Sequence, residues 1–347
     1  MNLHFKNKPV ISFCISTFNR SKKIVKLIEE ILKYKGDEIE VVVTDNCSTD
    51  NTALMLSKIH DERFRYFVNN QNIGAIPNYM KSMSEAKGEY VFFSTDKDTI
   101  NSASIHDLVD FFNNNSNIIS GYCKLDVYET APNVLFNQGV DGLKNMAYLS
   151  QHPTGYFFKN EILKTLNIFE NYSSLKKIGT FPFEFIMADM CMLGQTAIVN
   201  LPLCYIETME DVKNIKSYSY SGVQNNLYFS PFQRFKMLER YVKHLKTLDL
   251  PESEKKGLVK CIFRYGLSSA TLGYRSMMQN KIICDHYSIT TENIGVLKLI
   301  KNDYNFSSSF IINCKHSNFL TRIAICLEIH IEYILKKFKG PNALHIG

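Results

Sequence analysis

Apolar and polar positions alternate along the first hundred residues so as to predict strands and helices in turn. The solid apolar run at residues 10–15 predicts a buried strand, and the helically spaced apolar residues that follow predict a helix; these are Ile24, Leu27, Ile28, Ile31 and Leu32. Further strands are predicted at residues 39–43, 64–68 and 90–93, with helices between them. This order is typical of an α/β protein with a mostly parallel, doubly wound sheet.

Polar residues follow each of the four predicted strands. In doubly wound sheets, ligands bind beyond the carboxyl ends of the strands. The residues at these ends are Thr17 and Asn19, then Asp45 and Asn46, then residues 69–72, then Asp96 and Asp98. The sequence therefore predicts a ligand site with carboxylates at the ends of the second and fourth strands.

From Pro231 onward the pattern changes to helices. The first is predicted to place Phe232, Phe235, Leu238, Val242 and Leu245 on one face and Arg234, Lys236, Arg240, Lys243 and Lys246 on the other. Further helices are predicted at about residues 251–278 and 319–338. We therefore expect a catalytic α/β domain over residues 1–225 and an α-helical region over residues 226–347.

Charge is distributed unevenly over the 347 residues. The net charge is only +6, and no run of Lys and Arg exceeds two residues, which argues against nucleic-acid binding. After Phe229, however, 18 Lys and Arg stand against 9 Asp and Glu, whereas the preceding part has 22 against 25. A basic region with apolar helix faces suits contact with an anionic membrane. The alternatives are internal packing, which we favour for the helix after Pro231, and a homodimer interface; for residues 319–339 membrane contact and packing both stay open.

The cysteines and the apolar runs indicate the cellular compartment of the protein. The nine cysteines are odd in number, scattered and without a C-x-x-C pair, which favours reduced thiols in a cytosolic protein. Residues 10–15 form too short an apolar run for a signal peptide, and no run reaches the roughly 18 apolar residues of a membrane-spanning helix. We therefore expect a cytosolic protein.

Two carboxylates, Asp96 and Asp98, follow the fourth strand two residues apart. Such a pair can hold Mn²⁺ or Mg²⁺, because these ions prefer oxygen ligands and share them with substrate phosphates. The same pair is common in solvated loops, but its place at a strand end favours a metal site. Asp45 ends the second strand, where a carboxylate can accept the imide N–H of uracil, while Asp50 suits capping of the next helix.

These segments together resemble the family 2 glycosyltransferases with the GT-A fold. The matching segments are ISFCISTFNR at residues 11–20, DNCSTDNT at 45–52, Asn72-Ile73-Gly74 with Asn78, AKGEY at 86–90, and Asp96-Lys97-Asp98. The opening is most similar to bacterial enzymes that build O-antigen or capsule repeat units. The resemblance implies a nucleoside-diphosphate sugar donor, a divalent cation and inversion at the anomeric carbon.

The resemblance also assigns roles by position. Thr17, Asn19 and Asp45 would hold the nucleoside, Asp96 would contact ribose or metal, and Asp98 would bind the metal. Arg20, Asn72 and Asn78 lie in the matched segments and are further donor-site candidates. The chain departs from the family at Ser16, where proline is usual, and at Lys97, which bears on metal affinity.

An inverting transfer needs a base that takes the proton of the acceptor hydroxyl. The matching stretch is residues 181–194, in which Glu184 and Asp189 are the candidates and Glu184 is favoured. Five residues apart on a helix, they point about 140° from each other. Burial in this apolar stretch would raise the pKa of either carboxyl, which suits a base.

The segment from His152 to Phe158 resembles the part of the family that lies under the acceptor sugar, with Gly155 permitting close approach and His152 either structural or acceptor-binding. The chain contains no Trp, so it lacks the Q-x-x-R-W motif of processive members and should add one sugar and release.

The sequence thus predicts a non-processive, inverting, metal-dependent glycosyltransferase. It would move a sugar from a nucleoside-diphosphate donor, with UDP favoured, to a saccharide acceptor, lipid-linked acceptors included, in capsule, O-antigen or lipooligosaccharide synthesis. One alternative is a sugar nucleotidyltransferase, although residues 16–20 lack the glycines of its phosphate loop. The other is an inactive module that binds nucleotide sugars.

Overall fold

The computed structural model describes residues 8–174, 179–207 and 227–338. The chain divides into two compact units, an N-terminal unit (Met1–Thr208) and a C-terminal unit (Met209–Gly347). The domain boundary predicted between residues 225 and 226 lies outside the described residues.

The strands of the described residues form one mixed sheet in the N-terminal unit. They are β1 (Ile11–Thr17), β2 (Ile39–Asp45), β3 (Phe64–Val68), β4 (Tyr90–Thr95), β5 (Thr99–Ile100), β6 (Ile118–Leu125), β7 (Val134–Phe136), β8 (Tyr156–Lys159) and β9 (Gln195–Tyr205). Their order is β3-β2-β1-β4-β8-β6-β9-β5, with β7 paired to β9. Strands β1 to β4 pair in parallel, as predicted, whereas β8 is antiparallel to both β4 and β6.

Burial explains why the first strands could be predicted from the sequence. Strands β1, β2 and β4 are buried along their whole length, so each reads as a nearly continuous apolar run. The edge strand β3 alternates between covered and exposed positions. The helices of this unit are α1 (Ser21–Ile31), α2 (Thr52–Leu56), α3 (Ala75–Ser84), α4 (Ile105–Asn114), α5 (Val140–Met146), α6 (Asn160–Thr165), α7 (Ile168–Tyr172) and α8 (Pro182–Leu193).

The C-terminal unit is helical in its described residues. Its helices are α9 (Pro231–Thr247), α10 (Glu252–Ser268), α11 (Tyr274–Gln279), α12 (Lys281–His286), α13 (Val296–Asn313) and α14 (Phe319–Phe338). A π-helical turn, Ser269–Gly273, joins α10 to α11, so the predicted helix at 251–278 is one helix with a local widening.

The orientation predicted for α9 is wrong at two positions. Phe232 is about half exposed, and Arg234 is buried, with its guanidinium carbon 5.5 Å from the centre of the Tyr228 ring. The buried side of α9 instead includes Met237 and Tyr241. An arginine can take a covered position of this kind because its planar cation stacks on an aromatic ring.

Gly155, just before β8, provides a stability test that is independent of activity. Its φ is +106°, and a Cβ there would lie 2.5 Å from the carbonyl oxygen of Cys123. Gly155→Ala should therefore lower the free energy of unfolding by at least about 2 kcal/mol. Gly257→Ala on α10 is the matched control, because its Cβ meets nothing within 4 Å and should stabilise the helix by about 0.5–1 kcal/mol. Urea unfolding measures both, and equal stability of the two variants would contradict the packing described.

Candidate active site

The carboxyl ends of β1, β2 and β4 meet at one edge of the sheet. Thr17 pairs with Asp45 in the β1–β2 register, and Ser16 pairs with Thr95 in the β1–β4 register. Beyond the strands, the N–H of Asn46 donates to the carbonyl of Thr17 at 2.9 Å. The polar residues predicted at these strand ends are therefore brought together.

Asp45 is a fully buried carboxylate with one unused oxygen. Its Oδ1 accepts from the hydroxyl of Ser48 at 2.5 Å and from the backbone N–H of Ser48 at 3.0 Å. Its Oδ2 is buried and has no hydrogen-bond partner among the residues that the structure describes. Burial raises the pKa of Asp45 against the lowering effect of the Ser48 bonds. A buried acceptor without a donor is costly, so this atom is the strongest sign of a missing ligand.

Asn19 holds the loop that follows β2. Its φ is +54°, and its side-chain oxygen accepts from the backbone N–H of Thr49 at 2.7 Å. Asp50 accepts from the N–H of Thr52, the first residue of α2, at 2.9 Å, as its predicted capping role requires. Asn19 thus fixes the shape of the loop that carries Ser48, and through Ser48 it orients Asp45.

A network of side-chain amides joins the ends of β2 and β3 to α3. Asn46 donates to the side chain of Asn72 at 2.9 Å, and Asn69 donates to Asn46 and to Asn78 at 3.1 and 2.9 Å. Asn78 is fully buried and donates to the hydroxyl of Ser16 and the carbonyl of Thr44. The contacts of Asn72 and Asn78 are thus with neighbouring protein groups, and they hold the strand ends in place.

Asp96 is buried and bound on both oxygens. Its Oδ2 accepts from the hydroxyl of Thr17 at 2.7 Å, and its Oδ1 accepts from Nη1 of Arg20 at 2.5 Å. Three residues predicted as donor-binding, Thr17, Arg20 and Asp96, therefore form one connected group.

Asp98 lies at the centre of a second group. Its Oδ2 accepts from the hydroxyl of Thr95 at 2.6 Å and from the hydroxyl of Thr154. Among the described residues, its Oδ1 accepts a single long bond, 3.3 Å from the N–H of Glu207. Oδ1 therefore has capacity for a further partner.

His152 faces Asp98, with Nδ1 3.5 Å from Oδ2. The N–H of Thr154 donates to the same Nδ1 at 3.2 Å, so this nitrogen carries a lone pair and no proton. Burial lowers the pKa of His152, against the raising effect of Asp98. The single lone pair of Nδ1 is thus used by Thr154, and Oδ2 of Asp98 already accepts from two hydroxyls, so Oδ1 of Asp98 is the atom of this group with capacity for a divalent cation.

Glu184, in the first turn of α8, clamps the loop before β8. Its carboxylate accepts from the N–H groups of Leu149 and Gln151, both at 2.8 Å, and from the hydroxyl of Tyr156 at 2.7 Å. The loop contains two residues with left-handed backbone, Tyr148 and Ser150. Burial raises the pKa of Glu184, while these hydrogen bonds lower it. The loop is therefore held at one end by Glu184 and, through Thr154, at the other by Asp98.

The position of α8 separates the two candidate bases. Phe183 lies at the end of β4, with ring centres 4.8 Å from Phe93 and 4.9 Å from Tyr156, which brings the neighbouring Glu184 to the strand-end edge. Asp189 is five residues further along the helix, where the hydroxyl of Tyr172 donates to its Oδ2. Glu184 thus bonds the loop that leads into β8, the neighbour of β4, and that reaches Asp98 through Thr154, whereas Asp189 bonds Tyr172 on α7.

Several site residues were not singled out from the sequence. Thr154 and Tyr156 bond Asp98 and Glu184, yet they are 56 and 28 residues away in the chain. Ser48 lies in the matched segment 45–52, but its bond to Asp45 was not predicted. Periodicity carries no signal for such contacts, because each depends on a pairing made by the fold.

Comparison with known proteins identifies the family. Residues 12–173 match the family model "Glycosyl transferase family 2". A GalNAc(5)-diNAcBac-PP-undecaprenol beta-1,3-glucosyltransferase of Campylobacter jejuni is 30% identical over 281 residues, which cover 74% of this chain and 88% of that protein. The chain belongs to glycosyl transferase family 2. It is a glycosyltransferase, as its strand-end motifs predicted.

A second relative links this family 2 chain to solved structures. Poly(ribitol-phosphate) beta-N-acetylglucosaminyltransferase TarS of Staphylococcus aureus is 24% identical over 259 residues, covering 70% of this chain and 42% of that protein. The crystal structure of TarS residues 1–349 with UDP-GlcNAc matches with a TM-score of 0.54 and 18% identity, over 86% of this chain and 91% of that one. This likeness confirms the predicted α/β fold.

Family 2 enzymes with this fold often use a divalent cation. In the part of the chain that the structure describes, no group of three or more His, Cys, Asp or Glu side chains is placed to hold a metal ion. Mg²⁺ is commonly held by one or two carboxylates together with substrate phosphates. The carboxylate of Asp98, through its Oδ1, fits that mode of binding.

Proposed function

We propose that this family 2 enzyme transfers one sugar from a UDP-sugar to a saccharide acceptor, with inversion at the anomeric carbon. The observation that carries the proposal is the unpartnered Oδ2 of the buried Asp45. An ionised carboxylate accepts hydrogen bonds only, and uracil offers an imide N–H in its plane. The N-terminal unit would form the catalytic domain.

The donor would lie along the strand ends. Asp45 receives the base, while Asn19 and the amides of Asn72 and Asn78 hold the surrounding loops. Thr17 and Arg20 hold Asp96, whose carboxylate would contact the ribose. The structural neighbour in complex with UDP-GlcNAc supports a uridine donor.

Asp98 would hold the divalent cation together with the phosphates of the donor. When bound, the cation supplies positive charge to the departing diphosphate. Asp98 contributes a carboxylate oxygen with spare capacity, and His152, whose Nδ1 accepts from the N–H of Thr154, lies beside it. Asp96 is a weaker ligand candidate, because both of its oxygens already accept from cationic or hydroxyl donors.

Removal of the cation should abolish transfer. EDTA is expected to reduce turnover at least about 100-fold, with recovery on adding Mn²⁺. Asp98→Asn should lose this response while binding of uridine without metal changes less than about threefold, and the exposed Asp110→Asn on α4 is the control. Full turnover of Asp98→Asn in EDTA would exclude the metal role.

Glu184 is the proposed base. The acceptor oxygen attacks the anomeric carbon as the bond from that carbon to the diphosphate oxygen breaks, the proton passes to the Glu184 carboxylate, and UDP departs. The hydrogen bonds from Leu149, Gln151 and Tyr156 fix the orientation of the carboxylate. Its position by the end of β4 supports this role over Asp189.

The acceptor would be a lipid-linked saccharide of bacterial surface polysaccharide synthesis, such as capsule or O-antigen. The Campylobacter relative is named for an undecaprenol-linked substrate, which supports this class. No helix in the described ranges has the length and apolarity to span a bilayer. We therefore propose peripheral contact at the cytoplasmic face of the inner membrane through the C-terminal helices.

A thermal-shift screen of nucleotide sugars with Mn²⁺ tests the proposal. A ligand that binds only the folded state raises the unfolding temperature in proportion to its affinity and concentration. UDP-sugars should stabilise the protein, and the stabilising donor should then label a polyprenyl-linked saccharide. If only guanosine or cytidine donors stabilise it, the assignment of Asp45 fails.

A further inference from the structure

Helix α14 exposes an apolar stripe to solvent. Its members are each more than half exposed; they are Phe319, Leu320, Leu327, Ile331, Ile334 and Leu335. Their spacing puts them within an arc of about 160° on one side of the helix. The stripe extends from the first turn to the last.

The other side of α14 is fixed to the rest of the C-terminal unit. Ile325, Cys326 and Ile329 are buried. Two ion pairs, Lys260 with Glu328 and Arg264 with Glu332, join α10 to α14 at 2.5 Å. The apolar stripe therefore cannot turn inward without breaking the packing and both ion pairs.

The neighbouring helix α13 shows the same arrangement. It buries Phe306 and Phe310 and exposes a second apolar set, namely Val296, Leu297, Ile300, Tyr304 and Ile312. Asp303 of α13 and His330 of α14 are joined at 2.7 Å, which fixes the two helices to each other. We call these two exposed stripes the α13–α14 surface. Single exposed apolar residues are ordinary, but exposed apolar sets of this size on two joined helices indicate an interaction surface.

Charge identifies what covers this surface. Residues 296–339 contain seven Lys and Arg and three acidic residues. Each acidic residue is already paired, Asp303 with His330, Glu328 with Lys260 and Glu332 with Arg264. On the basic side, Lys298 is paired with Glu292 and Arg322 is buried, whereas Lys301 and Lys315 are exposed. Seven basic against three acidic residues give the segment a net charge of +4, which matches an anionic lipid surface.

We propose that the α13–α14 surface docks the enzyme on an anionic bilayer, with both helices lying in the membrane interface. The proposal rests on the proposed function in one respect, since a lipid-linked acceptor would be presented at that interface. The sequence predicted such contact for a basic region with apolar helix faces; the proposal assigns it to the exposed stripes of α13 and α14, which insert while the lysines add attraction.

Vesicle sedimentation of the full chain tests the proposal. The vesicles are phosphatidylglycerol with phosphatidylethanolamine, and phosphatidylcholine alone serves for comparison. Wild-type protein should sediment with the anionic vesicles, and Leu297→Glu with Leu320→Glu should weaken binding at least about tenfold. The matched control is Leu54→Glu with Tyr128→Glu, which adds the same charge at exposed apolar residues of the N-terminal unit and should sediment like wild type.

Light scattering and UDP binding on the same preparations separate the outcomes. Equal sedimentation of both double variants would overturn the proposal. A wild-type dimer that the α13–α14 substitutions convert to a monomer, without vesicle binding, would overturn it too and assign the surface to a second copy of the chain. Unchanged UDP binding by the α13–α14 variant shows that this variant is folded. If the protein binds UDP but does not bind vesicles, the docking proposal fails and the proposed transferase function stands.

Discussion

Asp45→Asn is expected to weaken UDP binding by about 10–100-fold, which corresponds to the free energy of a hydrogen bond to a charged group. The asparagine can still accept from Ser48, but it places an amide N–H₂ where the imide N–H of uracil needs an acceptor. Titration calorimetry measures the effect. Ser48→Ala is the matched control, because it removes a partner of Oδ1 and leaves the free Oδ2 in place.

The same substitution should not destabilise the protein. Burial raises the pKa of Asp45, so the ionised form is disfavoured in the folded state. This cost is present above the folded-state pKa and disappears as the pH falls towards the unfolded-state value. At neutral pH the thermal midpoint of Asp45→Asn should equal or exceed that of wild type, and the difference should shrink on acidification. Loss of both binding and stability would point to a structural role.

Glu184→Gln is expected to reduce sugar transfer by about 10²–10⁴-fold, the usual contribution of a general base. UDP binding should change little, because Glu184 contacts the loop before β8 and not the residues around Asp45. Asp189→Asn on the same helix is the matched control and should retain activity within a few fold. Initial rates of transfer at saturating donor measure the effect, and the thermal midpoints of both variants show whether they are folded.

Tyr156→Phe separates a base from a purely structural clamp. The hydroxyl of Tyr156 lowers the pKa of Glu184, so its removal should raise that pKa further. A base must be ionised, and the acid limb of the pH–rate profile should therefore move to higher pH in this variant. An unmoved acid limb, with lower activity at every pH, would assign Glu184 to holding the loop alone.

The sequence was most informative where burial and chain order coincide. Strands β1, β2 and β4 are covered on both sides, so their ends and the polar residues after them, such as Thr17 and Asp45, were predictable. The antiparallel insertion of β8 was not, because strand order depends on contacts made across the sheet.

The helical region shows a second limit of prediction from sequence, which is the orientation of each helix. Helix α14 is apolar on two sides, and periodicity alone does not say which side packs inward; the ion pairs of Glu328 and Glu332 decide it. Likewise, the burial of Arg234 depends on its ring contact with Tyr228.

The central claim is that the free oxygen of Asp45 accepts the imide proton of uracil. The most direct test is calorimetric comparison of UDP with UDP methylated at N3 of the base, which lacks only that proton. Wild type should bind the methylated compound at least about tenfold more weakly, and Asp45→Asn should bind the two nearly equally. Equal affinity of wild type for both would contradict the account.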